Sequence, residues 1–364
     1  MTYLFSNPQA KKWKTLFFLS LMLNIIIVVA FFMREQEVAS VQKKDVAEVM
    51  EKKKEETPGK TLNEKKADSS KTVKPEKSYK QGDLLASSVT IEDNFFSAFN
   101  SSEDVKKLSE KTGINALSDI LSAHVGRLLV WKLVLRTDVR KGDRLSFVFR
   151  EIPDKEAKNR VDIPDDLEVV AVDYYSKKYA KNIRIFFYRP DGVKYAKYYY
   201  DDGMMIEKII SNNPPIRLKD YIQVTSLIGD RMPKHDGVDF KAVIGTKVYS
   251  PVDGTVLRKN WKTKYNGYCL EIKESGGRHT YKFLHLSDVI VKKGQKVSVG
   301  DHVANTGNTG KTTAPHLHYQ INIGQRGKVL DPYKFHETKM IRLEGRDLSK
   351  FKSQVKKVSS YFKK

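Results

Sequence analysis

The chain has 364 residues and a formal net charge of +22 at neutral pH, long enough for more than one domain and basic enough to call for an anionic partner. Its single cysteine, Cys269, excludes an intrachain disulfide framework and a thiolate metal cluster, so any bound metal must rest on imidazole and carboxylate. Cys269 lies in the strand-like run GYCLEI and reads as a buried structural thiol.

Residues 1–14 place Lys11, Lys12 and Lys14 ahead of an uncharged apolar run, TLFFLSLMLNIIIVVAFFM, over residues 15–33. Its length is that of a bilayer-crossing helix, ~20 residues. The preceding lysines hold the N-terminus in the cytoplasm and export the rest of the chain. A cleaved signal peptide is the rival reading, but the run is long for that role and no small-x-small site succeeds it. An uncleaved single-pass anchor is therefore expected. Either way nucleic acid is out of reach, and anionic lipid or cell-wall polymer becomes the expected partner.

Residues 34–82 contain no aromatic side chain before Tyr79 and are dominated by lysine and glutamate. Such a segment buries too little apolar surface to offset its ordering entropy, so a disordered charged linker is predicted, reaching roughly 40 Å as a flexible coil. Residues 84–216 read as an α+β domain. Apolar residues recur at helical spacing from Asn94 to Leu135, and the strand patterns RLSFVFREI, LEVVAVDYY, NIRIFFYR and VKYAKYYY come next. A helical cap followed by an antiparallel meander is expected. Residues 217–338 carry short alternating runs between glycine turns and read as a mainly-β domain. Residues 339–364 form a basic amphipathic helix with Leu348, Phe351, Val355, Val358 and Phe362 on one stripe, expected to pack back on the protein rather than on lipid.

Chemistry concentrates in three segments of the mainly-β domain: His235 and Asp239 in KHDGVDF, His285 in YKFLHLSD, and His316 and His318 in TTAPHLHYQ. A catalytic zinc site takes three protein ligands and keeps one position open. His235, Asp239 and His318 supply two imidazoles and a carboxylate. His316 and His318 stand on one face if the segment is a strand, so that one binds metal while the other faces the open position. Two histidines and a carboxylate also make the facial triad of non-haem iron oxygenases, although its usual spacing differs from the four-residue step here. His124 reads as a core or surface residue, and His279, His302 and His336 as solvated.

The segment from His235 to Gln320 resembles the lysostaphin- and LytM-type zinc peptidoglycan endopeptidases, metallopeptidase family 23. That family carries HxGxD, HLS-type and PHLH motifs in this order, and here they read HDGVD, HLS and PHLH. The resemblance implies a LytM/lysostaphin-type β domain in which His235, Asp239 and His318 bind one Zn2+. It implies that His316 is the general base and that His285 steadies charge on the tetrahedral intermediate. The implied reaction is hydrolysis of peptide bonds in peptidoglycan cross-links or stem peptides. The whole layout is similar to the membrane-anchored envelope endopeptidases of Gram-negative bacteria, which implies an inner-membrane protein with its C-terminal domains in the periplasm. It also implies possible intramolecular inhibition by the 84–216 domain, for which Glu92 and Asp93 are candidate carboxylates. Two departures stand out. SLIGDR replaces a common SxFGxR stretch, with only three residues between Arg231 and His235, and Ala314 occupies a frequent glycine position. The competing class is a non-catalytic regulator that binds peptidoglycan or an amidase partner, whose members usually lack one of the five residues present here. A periplasmic protease of ordinary proteins is a third reading.

Overall fold

Asn94 starts the helical stretch. Its side chain accepts from the amides of Phe96 and Ser97, and the Ser97 hydroxyl accepts from the Asn94 amide, a capping box that satisfies otherwise open helix amides. The computed structural model describes residues 84–152, 167–230 and 234–362. The apolar run 15–33 and the linker 34–82 lie outside the described residues, among which no helix is long and apolar enough to cross a membrane.

A strand, β1 (Leu85–Thr90), precedes helices α1 (Phe95–Ser101), α2 (Glu103–Thr112), α3 (Leu117–Leu129) and α4 (Leu135–Asp138). Strands β2 (Arg144–Glu151), β3 (Leu167–Ser176), β4 (Lys181–Tyr188) and β5 (Lys197–Tyr200) come after them. The five strands form one antiparallel sheet in the order β1-β2-β3-β4-β5. The helical cap and meander are thus joined by a first strand that sequence patterning does not reveal. One of its inward residues is Ser87, fully buried, so polarity does not alternate along it.

The helices cover one face of this sheet. Phe95, Phe99, Leu121 and Val125 pack on Phe147, Val172 and Ile185, and the other face, with Phe186, Tyr188 and Tyr199, meets the C-terminal segment.

The second part of the chain is built from short strands. They are β6 (Ile209–Ile210), β7 (Gln223–Ser226), β8 (Val238–Lys241), β9 (Lys247–Tyr249), β10 (Gly254–Lys259), β11 (Tyr268–Glu274), β12 (His279–Val289), β13 (Lys296–Val297), β14 (His302–Thr306), β15 (His316–Ile323), β16 (Val329–Leu330) and β17 (Thr338–Lys339). Short helices α5 (Thr263–Asn266) and α6 (Pro332–Phe335) interrupt them. The main path of the large sheet runs β13-β10-β11-β12-β15-β8-β7, with β14, β9 and β16 attached, and every pairing is antiparallel. Val238, Phe240, Leu270, Phe283, Leu317 and Tyr319 belong to its core.

After β17, which pairs with β6, helix α7 (Gly345–Ser359) returns to the first sheet. Phe351 is fully buried, its ring 5.4 Å from that of Tyr188 and 5.8 Å from that of Tyr199. The apolar stripe of the tail packs on protein, as its pattern predicts.

Aromatic and ionic contacts join the halves. The Trp131 ring meets Tyr333 edge-on at 5.2 Å. The Lys197 ammonium, on β5, donates to the carbonyls of Tyr221 (3.0 Å) and Ile222 (2.8 Å) and lies 3.9 Å from Glu207 Oε2. Glu207 in turn accepts from the Val224 amide of β7 at 3.0 Å. Lys197 and Glu207 are both buried. Burial pushes the amine pKa down against the pull of Glu207, and burial raises that of the carboxyl. Removing one partner strands the other charge, so Lys197→Met should cost roughly 3–5 kcal/mol in urea unfolding. The double variant Lys197→Met/Glu207→Met should recover most of that loss.

Candidate active site

Strands β8 and β15 pair in a register that sets His318 directly opposite Asp239. Cross-strand partners project to the same face, and His318 Nδ1 lies 2.9 Å from Asp239 Oδ1. His235, in the turn before β8, brings Nε2 to 3.1 Å from both of those atoms. Its other nitrogen, Nδ1, donates to the Leu227 carbonyl at 2.9 Å. That bond fixes the tautomer and leaves Nε2 as the lone-pair nitrogen. The Nε2–H of His318 faces Gln320 Oε1 at 3.4 Å, so its Nδ1 is likewise turned inward as a lone pair.

Two imidazole lone pairs and a carboxylate oxygen meet here, all three residues being buried. A cation between them relieves their mutual repulsion. Zinc bonds of 2.0–2.1 Å in a tetrahedron place ligand atoms about 3.3 Å apart, a few tenths of an ångström more than observed. The donor set therefore fits a divalent metal. Burial alone would raise the Asp239 pKa; without a metal, protons on the ring nitrogens of His235 and His318 that face it, together with the charge of His318 and His316, outweigh burial and hold the carboxylate far below its ordinary range.

Gly237 makes room for this convergence. A Cβ there would sit 2.6 Å from the Tyr319 carbonyl and 2.7 Å from the His318 ring. The bare backbone at Gly237 therefore lets the His318 ring sit beside Asp239.

His316 shares the face of His318, as the strand spacing predicts. Its Nδ1 donates to the Ala314 carbonyl at 2.8 Å, which makes Nε2 the basic nitrogen, and Nε2 lies 3.7 Å from Asp239 Oδ1. With 15% of its side chain exposed, His316 is more accessible than His235 or His318, which suits a group that exchanges protons with solvent.

His285 arrives differently. On β12, residues 284 and 285 together oppose Cys269 alone on β11, a bulge between the pairs Tyr268–Leu286 and Leu270–Phe283. His285 takes a φ of 61°. Such a left-handed conformation costs on the order of 1–3 kcal/mol and gathers at functional sites. It sets the ring 4.8 Å from that of His316 and 6.2 Å from that of His318. Nδ1–H donates to the Thr309 carbonyl at 2.9 Å. Burial, with the neighbouring His316, pushes the His285 pKa down to about 4, so the ring is uncharged at neutral pH.

Of the residues singled out from sequence, His235, Asp239, His285, His316 and His318 come together. Glu92 pairs with Lys141 at 3.3 Å, and Asp93 accepts from Asn94 at 2.8 Å. His279 faces Glu274 at 2.8 Å, and His302 faces Asn305 at 2.9 Å. His336, expected to be solvated, is half-buried: it directly follows α6, and its ring lies against Tyr319, whose hydroxyl donates to Nε2 at 2.7 Å. No motif marks that docking.

Residues 233–332 match Peptidase family M23. The chain carries a peptidase family M23 domain. It is 30% identical over 213 residues to peptidoglycan DD-endopeptidase ShyA of Vibrio cholerae serotype O1, covering 57% of this chain and 46% of that protein. It is 36% identical over 103 residues to lysostaphin of Staphylococcus simulans, covering 28% of this chain and 21% of that one. The chain thus spans less than half the length of these relatives. Among solved structures, the catalytic domain of S. simulans lysostaphin is 32% identical, with 32% of this chain and 87% of that one covered and a TM-score of 0.28. The M23 match takes in all five converging residues.

This geometry sets two expected outcomes. Gly237→Ala should weaken divalent-metal binding at least ~10-fold in chelator competition, because the new methyl displaces the His318 ring. His336 has its pKa lowered by burial from 6.5 to about 4. The unfolded chain therefore binds the proton first as pH falls, so this contribution to stability is intact above 6.5 and is lost between 6.5 and about 4. The urea midpoint of His336→Gln should fall less steeply across that window than that of the parent.

Proposed function

We propose that this chain is a zinc-dependent endopeptidase that hydrolyses peptide bonds of peptidoglycan cross-links or stem peptides. The observation that supports this most is the meeting of His235 Nε2, Asp239 Oδ1 and His318 Nδ1 within 3.1 Å of one another, with His316 Nε2 3.7 Å from the same carboxylate oxygen. His235, Asp239 and His318 are the ligands in this reading. The ion, when bound, supplies Lewis-acid activation of water and of the scissile carbonyl.

His316 Nε2 takes the proton of the attacking water and returns it to the leaving amine, with Nδ1–H anchored on Ala314 throughout. In this reading His285, its ring 4.8 Å from that of His316, steadies the charge that builds on the carbonyl oxygen. Since its Nδ1–H is committed to Thr309, donation to that oxygen requires a second proton at Nε2. The ring is uncharged beforehand, so that proton has to be taken up from solvent as the negative charge develops.

ShyA is named a peptidoglycan DD-endopeptidase, which supports a cell-wall substrate here. Residues 15–33 serve in this reading as a single-pass inner-membrane anchor, with the peptidase domain in the periplasm. The formal charge of +22 draws the enzyme toward the carboxylates of the wall.

Purified protein should contain about one zinc per chain and release new peptide fragments from isolated sacculi, identified by mass spectrometry. His316→Ala should keep its zinc and lose roughly 10²–10⁴-fold in kcat. Full zinc occupancy without any fragments from the parent would reject catalysis and leave a wall-binding regulator.

A further inference from the structure

The sheet face that carries the site histidines continues into a polar row, of which only Gln320, beside the His318 ring, has a role above. Gln320 lies two residues beyond His318 on β15 and shares its face. Gln320 pairs with Lys282 of β12, Lys282 with Glu271 of β11, and Glu271 with Arg258 of β10. Four side chains thus cross four strands beside the candidate metal ligands.

Their charges do not balance. Glu271 is fully buried. Its Oε2 accepts from Arg258 Nε at 2.5 Å and Gln325 Nε2 at 3.2 Å. Its Oε1 has no hydrogen bond and faces Lys282 Nζ at 3.9 Å. One carboxylate serves two cations, and Arg258, stacked on Trp261 at 4.1 Å, takes the bond. The Lys282 ammonium makes no hydrogen bond among the described residues, yet only 13% of its side chain is exposed. Asp236, exposed in the HDGVD turn, is the other carboxylate that acts on it.

A largely desolvated ammonium with unfilled donors favours an anion. Two residues along a strand span about 7 Å, the step between alternate residues of an extended peptide, so an anion on Lys282 lies within about two residues of a bond held at the histidines.

We propose that Lys282, with Gln320 beside it, is a specificity-determining residue that binds a carboxylate of the substrate peptide. This inference takes from the endopeptidase reading what the peptide is. The carboxylate is a side-chain or terminal group close to the bond presented to His316, and peptides in which it is neutral are poor ligands.

The test compares a cross-linked stem-peptide dimer with the same dimer after its carboxylates are converted to primary amides. Affinities are measured by calorimetry on the zinc-loaded full chain in detergent, in a His316→Ala background that prevents turnover. With Lys282 present, the free acid should bind about 10–100-fold tighter than the amide. Lys282→Met and Lys282→Gln should bring that ratio close to one, and Lys282→Arg should keep most of it. Both neutral variants leave all but one of the chain's cations in place, so general charge attraction would keep the ratio high. Zinc content and thermal midpoint establish that each variant is folded.

An unchanged ratio in the neutral variants overturns the proposal, as does equal weakening of both peptides or no preference for the acid by the Lys282 chain. Hydrolysis of sacculi by the unmodified chain is scored separately. Hydrolysis with an unchanged ratio sinks the Lys282 role alone. A collapsed ratio without hydrolysis sinks the endopeptidase reading and leaves the carboxylate site standing.

Discussion

The pairing of β8 with β15 is the constraint on which the site depends. It sets Asp239 opposite His318, and a slip of one residue would turn either side chain to the other face of the sheet. The hydrophobic alternation of both strands opposes such a slip. Val238 and Phe240 go to the core between Asp239 and its neighbours, and Leu317, Tyr319 and Ile321 do the same on β15. The packing of apolar side chains on one face thereby fixes the geometry of polar ones on the other. His235 and His316 are tuned locally, each by a backbone carbonyl that holds Nδ1–H and turns Nε2 toward Asp239.

The orientation of His235 also reaches into the first half of the molecule. Leu227, whose carbonyl holds its ring, comes directly after β7. Three residues earlier the Val224 amide is bound by Glu207, and just before that strand the Ile222 carbonyl is bound by Lys197 of the first sheet. The edge strand beside the site is thus clamped at one end by a buried charge pair and at the other by His235. Mechanical continuity between the halves runs through backbone groups rather than through a loose surface contact.

Much of this is legible in the amino-acid sequence. Metal-ligating residue types in three ordered segments, with His316 and His318 two apart, require only strand periodicity to be read as one site, and the glycine turns announce the strands around it. The features that escape such a reading do so for physical reasons. The first strand buries a serine, so its pattern is broken. The bulge that delivers His285 depends on the registers of β11 and β12 together, which neither strand declares alone. His336 is half-buried because the short helix just before it docks on β15, a tertiary contact its own segment does not announce. The row from Gln320 to Arg258 joins residues far apart in sequence, and in a chain this rich in lysine nothing singles out Lys282 until its neighbours across the sheet are known.

The path of the last residues carries a consequence for anyone cutting the gene. β17 pairs with β6, and the stripe on α7 shields the reverse side of the first sheet. The polypeptide is interleaved: it begins one half, completes the other, and comes back to close what it left open. A boundary drawn once between the halves yields two pieces, one with a bare aromatic surface and the other trailing a greasy helix with nothing to cover. Shorter fragments of the mainly-β half ought to stop ahead of that return.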